Sequence, residues 1–155
     1  MRFWLLASIL PLGLLSCGDK SAVELTVTFD QASITAQNGP LGTTLGGGFR
    51  LQFELGPEAS GPTTVTPGDF SLRTASGTVL VDQLKVDTTG AGFPLVVDKG
   101  SSQTITYTVS SGKTLMPADA AAICAGQVII VGSVMDSLKG GTDPLQSAPL
   151  TPTCS

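Results

Sequence analysis

Residues 49–55 read Phe-Arg-Leu-Gln-Phe-Glu-Leu, with apolar and polar side chains in strict alternation. A period of two is typical of a half-buried β-strand, because successive side chains of a strand point to opposite faces of the sheet. The same alternation occurs in residues 23–29 and in residues 105–109, where threonines separate the apolar side chains. These three segments predict antiparallel sheets that each have one solvated face.

The remaining segments predict further strands and one helix. Residues 127–135 are nearly all apolar, as expected for a central strand that is covered on both faces. Residues 117–123 begin with Pro117, and Asp119 is followed directly by three alanines, which predicts one or two helical turns. Shorter strands are predicted at residues 70–72, 79–86, 95–97 and 146–153, the last as an edge strand because it contains two prolines. Turns are predicted at residues 38–48, 56–68, 88–92 and 139–143, with Gly46-Gly47-Gly48 as a flexible turn.

Seven or eight short strands predict an all-β, antiparallel sandwich with one short helix before the penultimate strand. In strand count and in the place of that helix, the domain resembles immunoglobulin-like sandwiches. Its single tryptophan, Trp4, lies near the N-terminus, and its cysteines come too late in the chain to join the strands that such domains usually cross-link. The resemblance therefore implies an architecture and no function.

The first seventeen residues resemble the start of a bacterial lipoprotein. Residues 1–16 have the pattern of a secretory signal peptide, and their apolar stretch of thirteen residues, 3–15, is shorter than the roughly 20 that a membrane-spanning helix needs. Leu14-Leu15-Ser16-Cys17 is similar to the lipobox of that family. The resemblance implies cleavage before Cys17, a diacylglycerol on its sulfur and, in Gram-negative species, acylation of the new N-terminus by a fatty acid such as palmitate.

The domain division follows from this motif: a signal peptide at 1–16, a lipidated cysteine with a short tether at 17–22, and a β-sandwich at 23–155. Gly18, rather than an aspartate, follows Cys17. In enteric lipoproteins this favours the outer membrane, so the resemblance implies a cell-envelope protein that is held at a membrane by its lipid anchor. The alternative is an ordinary secreted protein in which Cys17 is a disulfide partner.

The three cysteines fit the lipid interpretation. If Cys17 is acylated, Cys124 and Cys154 remain as an even pair in an oxidising compartment, so a disulfide between them is expected. One register would explain it: a hairpin of residues 127–135 with 146–153 and with Cys124 opposite Cys154. That register pairs Ile130 with Ala148 and Val134 with Pro144, and it centres the turn on Lys139-Gly140-Gly141.

Several classes of chemistry are disfavoured by composition. The chain has no histidine, which excludes Ser-His-Asp catalysis and the usual zinc sites. Its net charge is −4 and it has no cluster of basic residues, so nucleic acid is not an expected partner. Ser110-Ser111-Gly112-Lys113 matches the S-x-x-K string of penicillin-recognising enzymes, but it follows a predicted strand rather than opening a helix. We interpret it as a polar turn.

Acidic residues are the remaining candidates for a site. Glu54 with Glu58, or Asp82 with Asp87, could supply paired carboxylates for glycoside hydrolysis. Asp136 and Asp143 flank the last hairpin loop, which in an immunoglobulin-like topology shares an end of the sandwich with residues 56–68. Glu58 and Asp69 belong to that region, and oxygens that converge there could hold Ca²⁺. No catalytic residue, cofactor or resident metal is assigned.

Three functions remain open. The first is a non-enzymatic envelope lipoprotein that acts structurally or binds a protein partner in the envelope. The second is a hydrolase that uses acidic residues, and a concave cleft that gathers carboxylates would favour it. The third is a secretion or assembly accessory whose sheet edge pairs with a client strand, and an unpaired apolar edge strand would favour it.

Overall fold

The computed structural model describes residues 23–90 and 92–155. They form two β-sheets and one short helix, so the all-β sandwich is confirmed. Among these residues, no helix has the length and apolar character needed to cross a membrane. In chain order the elements are β1 (Leu25–Gly39), β2 (Gly42–Leu55), β3 (Thr63–Pro67), β4 (Ser71–Thr74), β5 (Val79–Val81), β6 (Lys85–Thr89), β7 (Leu95–Val97), β8 (Ser102–Ser110), α1 (Pro117–Ala125), β9 (Val128–Asp136), β10 (Gly141–Gln146) and β11 (Thr153–Cys154).

The first sheet has the strand order β11-β1-β2-β8-β6, and all of its pairs are antiparallel except β11 with β1. The strongly alternating segments of the sequence lie at its centre, in β2 and β8, where Leu51 pairs with Ile105 and Phe49 with Tyr107. Their apolar side chains are buried, and the charged and threonine side chains between them face outward. The alternation therefore predicted these strands correctly.

The turn predicted at residues 38–48 was wrong, because β1 and β2 form one long hairpin that turns only between Gly39 and Gly42. The three central glycines lie inside β2, opposite residues 33–35 of β1 and next to a bulge between Asp30 and Ser33. A Cβ on Gly47 would overlap the carbonyl of Ser33, and Gly47 has a φ of 133°. The glycines are present because neighbouring backbones approach closely there, not because the chain reverses.

The second sheet is built around β9. One side of β9 pairs with β4 along its first half and with β3 along its second half, and its other side pairs with β10. β5 extends the sheet beyond β4, and β7 extends it beyond β3. Strand β3 lies within residues 56–68, where a turn was predicted. Its Thr-Thr-Val-Thr-Pro sequence gives little alternation, although Thr63 and Val65 are buried.

Residues 79–86 do not form one strand, which corrects another prediction. β5 belongs to the second sheet and β6 to the first, and the chain crosses between them at residues 82–84. The crossing is held by the Leu84 N–H, which donates to the Phe70 carbonyl at 2.8 Å. Within the described residues the strand segments number eleven instead of seven or eight. β3 forms where a turn was predicted, residues 79–86 give β5 and β6, and β10 and β11 replace the strand predicted at 146–153. The helix precedes β9, which two further strands follow.

The last hairpin has a different register from the predicted one. β10 pairs Asp143 with Val134 and Pro144 with Ser133, one residue away from the predicted pairs, and the turn occupies residues 137–140. The predicted register returns only at the isolated bridge between Val128 and Leu150. Between these points, Ser147 donates its N–H to the Ile130 carbonyl and accepts the Ile130 N–H on its hydroxyl. This side-chain bond replaces one rung of the ladder and absorbs the extra residue.

Cys124 and Cys154 are joined by a disulfide with a Cα–Cα distance of 6.1 Å. The disulfide joins the two cysteines that the sequence analysis paired, but the prediction that they lie opposite each other in a hairpin was wrong. Cys124 lies in the last turn of α1, and Cys154 lies in β11, which pairs in parallel with Thr35 and Ala36 of β1. The bond therefore connects the helix to a strand of the first sheet, and both cysteines are exposed.

The two ends of the sandwich differ. The N-terminal end carries Glu24, residues 56–62 and the β9–β10 turn, as the bond from the Gly56 N–H to the Glu24 carbonyl indicates. The helix end carries the β1–β2 turn, α1 and the C-terminal residue, since the Asn38 N–H donates to the Ser155 carbonyl at 2.8 Å. Strand β1 runs from one end to the other.

Candidate functional site

A wide cleft of about 780 Å³ lies at the helix end, which we call the helix-end cleft. It lies between the β5–β6 crossing, the loop that follows β8 and the first turn of α1. Charged side chains from four parts of the chain line it together with apolar ones, among them Met116, which is 69% exposed. The charged residues are Asp69, Asp82, Lys85, Lys113 and Asp119.

The loop after β8 is fixed by one buried serine. Ser111 donates its hydroxyl to the Lys113 carbonyl and accepts the Leu45 N–H at 3.3 Å. β8 ends at Ser110, and the residues after it form no helix before α1. The S-x-x-K string is thus a polar turn, as interpreted from the sequence, and the Ser111 hydroxyl has a structural role.

A second, smaller pocket of about 310 Å³ lies at the N-terminal end, which we call the N-terminal pocket. It brings together three of the carboxylates that the sequence analysis grouped: Glu58, Asp136 and Asp143. Glu24 and Lys139 line the same pocket. Asp69 was grouped with them and lies in the helix-end cleft instead, because the chain between β3 and β4 runs along β9 towards the helix end.

Two of the four carboxylates of the N-terminal pocket, Asp136 and Asp143, already have protein partners. Asp136 is 4% exposed, and its Oδ1 accepts hydrogen bonds from the Thr63 hydroxyl and from the Leu138 N–H at 3.0 Å. Asp143 pairs with the Lys139 ammonium, and that hydrogen bond raises the pKa of Lys139. Within residues 23–90 and 92–155, no three acidic or cysteine side chains are arranged to hold a metal ion. The geometry assigns Asp136 to the structure of the β9–β10 turn.

In each of the two carboxylate pairs proposed for hydrolysis, the two members lie in different parts of the surface. Glu54 is on the exposed face of β2, whereas Glu58 lines the N-terminal pocket. Asp82 lines the helix-end cleft, whereas Asp87 is on β6 with the Lys85 ammonium 3.7 Å from its carboxylate. Sequence reasoning missed the grouping of Asp82 with Asp69 and Asp119, since these residues are far apart in the chain and meet only through the fold.

A third feature is the outer edge of β1, on the side away from β2. β11 occupies this edge only at Thr35 and Ala36. Over Leu25–Asp30, which we call the open edge, no described strand pairs with β1 on that side. The open edge is a six-residue stretch at the N-terminal end of the sandwich that is paired with β2 on one side and with no described strand on the other.

Neither a protein-family model nor a curated protein matches this sequence. The signal peptide at 1–16, Cys17 and the tether at 17–22 lie outside the described residues. The anchoring motif therefore remains an inference from the sequence, while the cleft, the pocket and the open edge come from the structure.

Proposed function

We propose that this chain is a lipid-anchored protein of the bacterial cell envelope whose sandwich domain binds a protein partner without catalysis. The motif Leu14-Leu15-Ser16-Cys17 carries the anchoring part of the proposal. The cysteines support it: Cys124 and Cys154 are bonded to each other, so an internal disulfide to Cys17 would require breaking that bond. The thiol of Cys17 is therefore the one left for a lipid.

Anchoring at Cys17 has a consequence for how the domain stands at the membrane. The first described residue, Val23, lines the N-terminal pocket, and the six residues 17–22 reach at most about 20 Å when extended. The N-terminal end would then lie near the lipid surface, and the helix-end cleft would face away from it. Gly18 after the anchor favours the outer membrane in a Gram-negative host.

Binding without catalysis is the role that the domain's surface supports best. The chain has no histidine, and the most deeply buried carboxylate of the described residues, Asp136, is bonded to Thr63 and to the Leu138 N–H where it lines the N-terminal pocket. The open edge, in contrast, has an outer side that no strand of the described residues pairs, and exposed strand edges of this kind bind extended peptides.

The test of anchoring is the mass of the mature N-terminus in protein purified from the native host. We expect cleavage before Cys17 and two or three acyl chains, which are enough for stable membrane attachment. Cys17→Ala should leave an unacylated chain in the soluble fraction, whereas the control variant Cys124→Ser/Cys154→Ser should keep its lipid. An unmodified mature terminus, or Cys17 bridged to a late cysteine, would refute the proposal.

A hydrolase is the second candidate, and the helix-end cleft is the observation that favours it. Asp69, Asp82 and Asp119 line that cleft, and paired carboxylates perform glycoside hydrolysis. Turnover of chromogenic aryl glycosides that is lost in Asp82→Asn and in Asp119→Asn, but retained in Asp87→Asn, would establish this role. No turnover by a folded protein at any pH between about 4 and 8 would remove it.

A further inference from the structure

The backbone groups of the open edge point outward in a defined pattern. Hydrogen-bonded and non-hydrogen-bonded pairs alternate along an antiparallel ladder. The Glu24 carbonyl accepts the Gly56 N–H, so this pair is of the bonded kind, and the next pair, Leu25 with Leu55, is of the other kind. The alternation continues, and the N–H and C=O groups of Leu25, Val27 and Phe29 are directed away from β2.

The side chains of the same three residues are incompletely covered. Leu25, Val27 and Phe29 pack against the core but are only half-buried. Their partners on β2 are Leu55, Phe53 and Leu51, which are 1%, 0% and 0% exposed. A further strand on the outer side of β1 would add its own inward-facing side chains to this half-buried row, beside β10, which also contacts β1.

The other sheet edges are protected in ways that the open edge is not. β6 carries Lys85 and Asp87, and β10 has Pro144 at its centre. β5 and β7 have three residues each. Charges, prolines and short length are the usual means by which proteins prevent unwanted strand pairing. Within the open edge, Leu25–Phe29 has no charged residue and no proline, and Asp30 at its end is paired with Arg50 of β2.

The chain itself shows that this edge accepts a strand. At the helix end of β1, the Ala36 carbonyl accepts the Ser155 N–H at 3.1 Å, and the Asn38 N–H donates to the Ser155 carbonyl. β11 thus adds to the outer side of β1 next to the open edge. Its parallel pairing covers two residues and stops well short of Asp30.

Charge indicates what kind of strand would fit. The open edge begins beside the N-terminal pocket, where four carboxylates (Glu24, Glu58, Asp136 and Asp143) face one ammonium, Lys139. The pocket therefore has a net charge of 4 − 1 = 3 negative units. A second copy of this chain, paired antiparallel through the same strand, would bring Asp30, Gln31 and Ala32 to this pocket, and none of these is basic.

We propose that the open edge is a strand-addition site for an extended segment of a partner protein, with alternating apolar residues and a Lys or Arg at the end that reaches the N-terminal pocket. The backbone of the segment pairs with Leu25, Val27 and Phe29, and its basic side chain enters the acidic pocket. This deepens the proposed function, on which it rests, because it names the class of partner that the anchored domain holds beside the membrane.

The test uses the full mature lipoprotein in detergent micelles and the blocked peptide Lys-Val-Thr-Val-Thr-Val-Lys as the probe. We expect saturable binding, with slowed amide hydrogen exchange at Leu25, Val27 and Phe29. The peptide with glutamates in place of both lysines should bind at least about tenfold more weakly, as expected for a loss of charge pairing on the order of 1.4 kcal/mol. A peptide N-methylated on alternate residues, which cannot pair with β1, should not bind.

The protein variant for this test is Val27→Pro. Its N–H points away from β2, so proline removes an outward donor while the β1–β2 ladder remains. We expect peptide binding to fall by at least about tenfold, a free-energy change of about 1.4 kcal/mol. If this variant does not fold, the N-methylated peptide still decides the question on the unchanged protein.

The proposal would be overturned by the absence of exchange protection at the three amides, by protection at β6 or β10 instead, or by equal binding of the glutamate peptide. Protection of the same amides that grows with protein concentration and needs no peptide would also overturn it, because the occupant would then be a second copy. Acylation is measured in a separate experiment, by mass. If the protein is acylated but does not bind the peptide, the strand-addition site is refuted and the proposed anchoring is not.

Discussion

Tyr107 shows how a single buried atom can weaken an otherwise well-packed core. Its ring stacks on Phe49 with centroids 4.7 Å apart, and Phe70 contacts both rings at 5.2 and 5.7 Å. Its hydroxyl is buried without a hydrogen-bond partner among the described residues. We expect Tyr107→Phe to leave stability unchanged or to raise the free energy of unfolding by about 1 kcal/mol, because an unsatisfied buried polar group is removed.

Urea unfolding of wild type and Tyr107→Phe measures this difference. Tyr107→Ala is the control, and we expect it to lose about 3–5 kcal/mol because it leaves a cavity among the aromatic rings. A Phe variant that is less stable than wild type by more than about 1 kcal/mol would indicate that the hydroxyl has a partner after all.

The same tyrosine predicts how stability changes in alkali. Burial raises the pKa of Tyr107 well above its ordinary value of about 10. The folded state therefore holds the phenolic proton where the unfolded state has begun to lose it. The contribution of the neutral phenol is present below pH 10 and is lost as the pH rises above it. Unfolding midpoints between pH 8 and 11.5 should fall more steeply for wild type than for Tyr107→Phe, and identical slopes would contradict this prediction.

Gly132 is a position where the core leaves no room for a methyl group. A Cβ there would overlap the ring of Phe70, which is buried. We expect Gly132→Ala to lower the free energy of unfolding by about 1–3 kcal/mol, because the ring would have to shift within a packed core. Gly141→Ala is the matched control, since nothing lies within 4 Å of its added Cβ. Equal midpoints for the two variants would show that Phe70 can move.

The structural role of glycine was also the hardest to predict from the sequence. Gly46-Gly47-Gly48 suggested a turn, because glycine is common where a chain reverses. In the fold, Gly47 lies against Ser33, and a Cβ on Gly48 would be 2.6 Å from the Tyr107 carbonyl. Which backbone approaches a glycine depends on strands far away in the chain, so a local pattern cannot distinguish these two uses.

Among the elements, α1 and β11 are attached to each other by the disulfide. β11 has two residues, and both cysteines of the disulfide are exposed. We expect Cys124→Ser/Cys154→Ser to lower the free energy of unfolding by roughly 3–4 kcal/mol, from the entropy that the bond removes from the unfolded chain. Thermal unfolding measures this loss.

Release of β11 is the second expected result of the same variant. Amide exchange at Asn38, whose N–H bonds to Ser155, should become fast, while exchange at the centre of β2 should stay slow. Unchanged protection at Asn38 would mean that β11 holds to β1 without the disulfide.

The β9–β10 turn depends on one carboxylate. Asp136 accepts the Leu138 N–H and the Thr63 hydroxyl, so it connects the turn to β3. We expect Asp136→Ala to cost about 1–3 kcal/mol, since it leaves buried donors unpaired. Asp143→Ala should cost less than about 1 kcal/mol, because its partner Lys139 is exposed. The urea midpoints of the two variants decide, and addition of Ca²⁺ should shift neither.

Strands with strict alternation were predicted well and irregular ones were not. β2 and β8 pack one face on the core and leave the other in solvent, and the alternation of apolar and polar residues in their sequences reflects this arrangement. β3 pairs through threonines and a proline, and the Val79–Val86 segment changes sheets half-way. The disulfide was predicted because two cysteines remain once Cys17 is assigned to a lipid. Its position between a helix and a parallel strand depends on the topology of the fold, which cannot be inferred from the alternation of side chains.

For the whole molecule, the proposed anchor predicts a fixed orientation at the bilayer. Residue 60 lies at the N-terminal end and residue 112 at the helix end. A dye attached to Ser60→Cys should be quenched more strongly by a membrane-embedded acceptor than one attached to Gly112→Cys, since energy transfer falls with distance and the tether is about 20 Å or less. Equal quenching would mean that the domain lies on its side or tumbles freely.

The sites could not be predicted from the sequence as well as the fold class was. Glu58, Asp136 and Asp143 were grouped correctly because they flank loops at one end of a sandwich. The grouping of Asp69 with them was wrong, since it lies at the other end. The open edge was not located in advance, because a strand's own residues do not state which of its two sides has a neighbour.

The bond between Cys124 and Cys154 also determines how the domain responds to being pulled. If the chain is fixed at its membrane end and force is applied at β11, two residues of hydrogen bonding would give way first. The sulfur bridge would then carry the tension into α1 and on to β9, whose neighbours on both sides resist shear. In a reducing solution, where the bridge is broken, the same pull would separate the last residues from the sheet as soon as the two paired residues of β11 lose their hydrogen bonds.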